Sequence, residues 1–229
     1  GKSTLIHILT SLVLKSSGQI RVGGVDLDDD VHRVRQQLGL VPQEFNFNLF
    51  EKCLDILIQQ AGYYGVPKKI AYERSEYYLK RLNLWGVRHT AARHLSGGMK
   101  RRLIIARALI HEPPILIFDE PTAGVDVELR QEIWTLLQEL NQSGKTIILT
   151  THYLEEAEKL CRHVAIINHG SVIVDSTIKA LVASLPKITY ALEVDEAVTL
   201  DVSKFDNGFS LTIIRSARYP GAMIPKSGL

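Results

Sequence analysis

The chain is poor in everything that would staple it or anchor it in a bilayer. Its only two cysteines in 229 residues, Cys53 and Cys161, lack metal-site spacing and cannot build a disulfide framework, so they read as buried thiols of a reducing compartment. No apolar run approaches the roughly 18–20 residues of a membrane helix, which excludes a chain that spans a bilayer by itself. Nothing in it reads as a signal peptide. Neither charge sign dominates: 27 basic residues face 25 acidic ones, a net +2 that points neither to nucleic acid nor to a membrane surface. Repeats and low-complexity linkers are absent. What is present, 45% hydrophobic and 23% charged, is ordinary globular composition, long enough for one sizeable domain or two small ones. The chain opens on Gly1-Lys2-Ser3-Thr4 without an initiator Met, and so reads as starting inside a motif.

Apolar strands alternate with helices. Leu5, Ile8, Leu9 and Leu12 fall at helical spacing, predicting an amphipathic helix over 3–15 that Ser16-Ser17-Gly18 stops. Gln19–Val22 and Leu38–Val41 read as short strands. Residues 50–112 carry helical patterns at 50–64, 67–83 and 97–111 and few strand-like runs, which predicts a helical insertion. After Pro113-Pro114 the strands return. Ile115–Phe118 is continuously apolar, as a strand buried on both faces requires. Asp126 can cap a helix whose inward face is Ile133, Leu136, Leu137 and Leu140, with Gly144 at its stop. Thr146–Thr150 and Val164–Ile167 read as further strands around a short helix, Tyr153–Leu160. This alternation implies a mainly parallel sheet covered on both faces. Ile188–Val194 and Phe209–Ile214 could be strands of a small appended element, and 215–229 shows no periodicity.

Three short segments carry chemistry. Gly1-Lys2-Ser3-Thr4 at a helix start matches the end of a P-loop, GxxxxGK[ST]. There, free backbone N–H groups and the positive dipole end meet phosphate, Lys2 reaches the β- and γ-phosphates, and the Ser3 hydroxyl ligates Mg²⁺. Ile115-Leu116-Ile117-Phe118-Asp119-Glu120 is an apolar strand ending in two carboxylates: Asp119 can hold Mg²⁺ and Glu120 can polarise an attacking water as general base. Open α/β sheets bind ligands at the carboxyl ends of their strands, which ties this segment to the first. Leu95-Ser96-Gly97-Gly98-Met99, opening a third helix, offers a second backbone anion site. Its Ser96 lies 94 residues after Lys2 and 23 before Asp119.

That order of motifs resembles the ATP-binding cassette (ABC) ATPases, whose LSGG signature precedes a Walker B strand. The resemblance implies an α/β P-loop NTPase fold, a RecA-like mainly parallel sheet with an inserted α-helical subdomain at about 44–112. It implies a cassette over 1–186 and an accessory segment over 187–229. It assigns further roles. Gln43, in Leu40-Val41-Pro42-Gln43, is similar to the Q-loop glutamine near Mg²⁺ and the attacking water. Pro121-Thr122-Ala123-Gly124-Val125-Asp126 resembles the segment containing the D-loop, where Asp126 has both an interface role and a capping role. His152, in Thr150-Thr151-His152, resembles the switch histidine that contacts γ-phosphate. The catalytic set implied is Glu120, His152 and Gln43; the nucleotide set is Gly1, Lys2, Ser3, Thr4, Ser96, Gly97, Gly98 and Asp126; the Mg²⁺ set is Ser3, Gln43 and Asp119.

The resemblance also implies partners. Ser96, Gly97 and Gly98 have no lysine beside them like Lys2, so they complete an ATP site that another copy begins, in a head-to-tail homodimer. A membrane permease would dock on the helical insertion, which places the subunit on the cytoplasmic face of the inner membrane with no nucleic-acid partner. Phe45, Phe47 and Phe50 belong to the segment expected to meet it, or else pack under the helices. LSGGM, Lys100-Arg101-Arg102-Leu103, EPTAGVD and THYLEEAE look most like the ATPase subunits of ABC-2-type exporters. Met99 replaces the frequent glutamine of the signature, which puts a side-chain contact to ribose in doubt. With half of the P-loop missing, residues 1–229 alone are expected to bind ATP weakly and to be inactive or poorly soluble. A soluble ABC ATPase acting on ribosomes or DNA is the alternative from another class. It is disfavoured by near-neutral charge and by the lack of a second cassette or long coiled coil.

Overall fold

The computed structural model describes residues 2–184, 189–194 and 210–215. Contacts divide the chain into two units, Gly1–Ile178 and Lys179–Leu229.

In the first unit, α1 (Lys2–Leu9) is followed by the antiparallel pair β1 (Arg21–Val22) and β2 (Val25–Asp26), then α2 (Val31–Gln36) and β3 (Leu38–Val41). A purely helical stretch comes next: α3 (Cys53–Tyr63), α4 (Lys68–Arg81), two 3₁₀ turns and α5 (Gly97–Leu109). It returns to β4 (Ile115–Asp119), α6 (Val127–Gln142), β5 (Thr146–Thr150), α7 (Leu154–Leu160) and the antiparallel pair β6 (His163–Asn168) and β7 (Ser171–Thr177). The helix α8 (Ile178–Ser184) follows. In the second unit β8 (Thr189–Val194) and β9 (Ser210–Arg215) pair in parallel.

The central sheet has the order β3–β4–β5, all parallel. β4 is buried on both faces, and its alternating side chains divide between two cores. Leu116 and Phe118 join the large cluster that holds Leu57, Leu79, Leu103, Ile104 and Ile133. Ile117 points into the smaller cluster of Ile6, Val22, Val34 and Leu38. Gly39 in β3 leaves no room for a side chain: a Cβ there would lie 2.6 Å from the Ala108 carbonyl oxygen and 2.8 Å from Leu116 Cδ2.

α5 buries much of its surface, with Leu103, Ile104, Ile105, Ala106, Ala108 and Leu109 in the core and Arg101 buried beside them. α6 follows its expected stripe. Asp126 caps it by accepting from the Leu129 N–H at 2.8 Å, Ile133, Leu136, Leu137 and Leu140 face inward, and Gly144 closes it at φ +94°.

The first helix departs from its sequence pattern. It ends at Leu9 rather than 15, where Ser11 turns into the left-handed region at φ +59°. Beyond that turn Leu12 is 63% exposed, and on the helix Leu5 is half-exposed, so the apolar spacing overstated both length and burial. Short elements without a periodic signature were not foreseen: β2, α2, β7 and α8. Cys53 is buried as expected, whereas Cys161 is only partly so.

Candidate functional site

The parallel register builds the site. Val41 pairs with Phe118, Phe118 with Leu149, and Asp119 with Thr150, so the carboxyl ends of the three strands finish side by side. The residues that follow each strand, Gln43, Glu120 and His152, are thereby brought together although they are separated by up to 109 positions. Glu120 Oε2 accepts from Gln43 Nε2 at 3.4 Å and lies 3.4 Å from His152 Nδ1. The carboxylate is largely covered and the imidazole half-exposed.

Glu120 adopts φ +48°, an unusual conformation for a residue with a Cβ, costing about 1–3 kcal/mol. Neighbouring groups hold it there. Its N–H donates to the Thr150 carbonyl at 3.1 Å and to Thr150 Oγ1 at 3.2 Å, and its own carbonyl accepts from the Ala123 N–H at 3.2 Å. The Thr150 hydroxyl also donates to Asp119 Oδ1. Asp119 is 5% exposed at the very end of β4, so one threonine of the neighbouring strand orders both carboxylate residues.

A second cluster surrounds a cleft of about 490 Å³ lined by Gln43, Gly97, Gly98, Arg101, Gly124 and Asp126 among others. Ser96 caps α5 by accepting from the Met99 N–H at 3.2 Å, and the first turn of that helix begins with Gly97, exposed, and Gly98, partly buried. A Cβ on Gly98 would approach Leu129 Cδ2 to 3.0 Å. Arg101 is buried, donates through Nη1 to the Pro42 carbonyl at 3.0 Å and stacks over Phe45; burial lowers its pKa from the ordinary arginine value. It ties the helix that begins at the signature to the residue preceding Gln43. A larger cleft, about 710 Å³, lies where α4 and α5 face α6, and four of its charged residues are paired as Arg81–Glu139 and Arg102–Glu132. It contains none of the predicted site residues.

Lys2, Ser3 and Thr4 form the exposed first turn of α1, which Ile6 seats in the cluster containing Ile117. Among the described residues no hydrogen bond or ion pair joins that turn to Asp119, Glu120, Gln43 or His152. Gly1 lies outside the described residues. The aromatics after Gln43 divide: Phe50 is 73% exposed and Phe45 partly so, whereas Phe47 packs against the large core, so only two of the three are available to a partner.

Sequence reading missed the residues that support the site. Thr150, Arg101, Thr122 and Glu156 lie within the quoted motif segments but were given no role of their own. Their roles depend on which strand or helix lies next to them, and a polar residue in an apolar segment was the only signal available.

The donor set suits a hard cation bound with a polyphosphate. Asp119 and Ser3 carry oxygen donors, and no group of three His, Cys, Asp or Glu among the described residues could hold a metal alone. Mg²⁺ is typically held this way, by one or two carboxylates plus substrate phosphates rather than by an all-protein cage.

Comparison with known proteins identifies the family. The family profile for ABC transporters matches residues 1–123. The Nod factor export ATP-binding protein I of Ralstonia nicotianae is 38% identical over 173 residues, covering 76% of this chain and 54% of that protein. The linearmycin resistance ATP-binding protein LnrL of Bacillus subtilis is 36% identical over 216 residues, covering 94% of this chain and 67% of that protein. Among solved structures, the ATP-binding subunit of an ABC transporter superposes with a TM-score of 0.72 at 28% identity, over 79% of this chain and 75% of that one. A dimeric ATP-binding cassette in a post-hydrolysis state with ADP and Pi superposes with a TM-score of 0.70 at 27% identity, over 78% and 81%. The chain spans little more than half the length of the Ralstonia relative. Its fold is that of a P-loop NTPase, and with the profile match and these relatives the chain belongs to the ABC transporter ATP-binding family.

Proposed function

We propose that this chain is the ATP-binding and ATP-hydrolysing part of an ABC-2-type exporter, working by ATP-driven closure of a head-to-tail dimer. The observation that carries the reading is the convergence of Gln43 and His152 on one oxygen of Glu120, directly after the buried Asp119. A carboxylate held at a strand end between an amide and an imidazole is equipped to accept a proton from water. Export is supported by the names of the Ralstonia and Bacillus relatives.

In this reading Gly1, Lys2, Thr4 and the N–H groups at the start of α1 bind the β- and γ-phosphates. Ser3, Asp119 and Gln43 would hold Mg²⁺, which when bound neutralises charge on the phosphates. Glu120 takes the proton of the attacking water. Gln43 orients that water, and His152 contacts the γ-phosphate from the neighbouring strand. Ser96, Gly97 and Gly98 present donors to the nucleotide of the second copy, and Asp126 lies at the same interface.

The helical stretch between β3 and β4 forms the subdomain that receives the membrane permease, with Phe45 and Phe50 as its exposed contacts. No described helix is long and apolar enough to cross a membrane, so attachment at the cytoplasmic face runs through that permease. The test is ATP turnover and ATP-dependent dimer formation by the full-length protein and by Glu120→Gln. Turnover in the parent, lost in a variant that still dimerises with ATP, supports the reading. No Mg-ATP binding by the full-length parent overturns it.

A further inference from the structure

Glu156 is the most deeply buried carboxylate among the described residues, 1% exposed on α7. One oxygen, Oε1, accepts from Thr122 Oγ1 and from Trp134 Nε1, both at 2.9 Å. The other, Oε2, is buried with no hydrogen bond. A buried carboxylate left half-satisfied is expensive to keep if its only task is packing, and an apolar side chain would fill the space at less cost.

The partners of Glu156 indicate what it does. Thr122, itself fully buried, is two residues beyond Glu120 in the turn that closes when the Ala123 N–H bonds the Glu120 carbonyl. Glu156 is four residues beyond His152, on the helix that starts directly after that loop. Trp134 fixes the carboxylate to α6. The front of the turn is held from β5 by Thr150, as described above; its back is held by Glu156. Through that back tether the loop carrying Glu120 and the loop carrying His152 are joined, and their side chains meet at 3.4 Å.

We infer that Glu156 is a positioning residue for hydrolysis: by holding Thr122 it sets the distance between Glu120 and His152. The inference rests on the ATPase reading. Misplacing a reacting group by about 1 Å is enough to cost about 100-fold in rate, so a loosened turn affects turnover before it affects nucleotide binding.

The test compares Thr122→Val, Thr122→Ser, Glu156→Gln and Glu156→Ala with the parent in the full-length protein. It reads kcat, the KM for Mg-ATP, the thermal midpoint and hydrogen exchange at the Ala123 amide. Thr122→Val and Glu156→Ala are expected to lower kcat about 10- to 100-fold with KM within about twofold. Thr122→Ser and Glu156→Gln keep the donor and the acceptor, and are expected to stay within about threefold of the parent kcat. A lower thermal midpoint with unchanged kcat in Thr122→Val overturns the inference, since Glu156 is then only structural. If the parent itself turns over no ATP, the hydrolysis reading fails, and Ala123 exchange decides alone. Exchange about tenfold faster in Thr122→Val supports the tether; unchanged exchange overturns it.

Discussion

Glu120 Oε2 lies 3.4 Å from His152 Nδ1, although the two residues come from loops after different strands and 32 positions separate them. Both strand ends are locked in register by the Asp119–Thr150 pairing, so the contact follows from the sheet rather than from local sequence. Removing the carboxylate charge while keeping its shape therefore isolates the chemistry. Glu120→Gln is expected to lower ATP turnover by about 100-fold or more, the usual contribution of a general base, with ATP affinity retained. Single-turnover hydrolysis at the parent rate would remove Glu120 from the role of base.

His152 is half-exposed, and its described contacts are the Glu120 carboxylate and the ring of Tyr153. His152→Ala is expected to lower kcat about tenfold or more while the free energy of unfolding changes by no more than about 0.5 kcal/mol, as for surface substitutions. Parallel denaturation and steady-state assays check both halves. A large stability loss with intact turnover would make the residue structural.

Gly39 has the opposite character. A Cβ there would meet the Ala108 carbonyl, Pro113 and Leu116 at 2.6–2.8 Å, and backbone and core atoms have little freedom to retreat. Gly39→Ala is expected to destabilise the fold by about 1–3 kcal/mol through overpacking at the β3–β4 seam, read by urea denaturation. A neutral result would mean that the α5 C-terminus shifts freely.

His111 supplies a pH dependence. Its ring stacks on Tyr64 with centroids 3.6 Å apart, and Nε2 bonds the Leu38 carbonyl at 3.1 Å. Burial, the largest cause, and the positive charges of Lys145 and Arg74 push its pKa down to about 4, against the Leu38 hydrogen bond that raises it. Glu112, paired with Arg74, is the nearby acid on the same segment. Because the folded pKa lies below the unfolded one, the unfolded chain binds more protons between them. Stability is full above about pH 6.5 and declines as pH falls toward about 4, by at most about 3 kcal/mol. Unfolding free energies at pH 7.5 and 4.5 are expected to differ more in the parent than in His111→Gln; equal differences would refute the assignment.

Much of the fold was legible before any coordinates. Ile115–Phe118 is apolar at every position because β4 is buried on both faces, and the α6 stripe with its Asp126 cap and Gly144 stop was equally explicit. α1 shows the limit of that logic: apolar residues at helical spacing continue past Leu9, but the chain turns at Ser11 and leaves Leu12 and Leu14 in solvent. Periodicity reports which residues could share a face, not whether anything lies against it. β1 falls inside the strand expected at 19–22, whereas β2, two residues long, is too short to carry a period at all.

Residue types at local spacing specified the parts of the candidate site: a Gly-Lys-Ser-Thr helix start, two carboxylates ending a buried strand, and a Ser-Gly-Gly helix start. Those depend on residue types at fixed local spacing, which local backbone geometry translates directly. Which side chains meet depends on how the strands and helices pack. The parallel register placed Gln43 and His152 on one oxygen of Glu120, and the packing of α6 and α7 behind the turn put Thr122 and Trp134 on Glu156. Such contacts join residues far apart in the chain, and their distances are set by how whole strands and helices pack, so no local pattern records them.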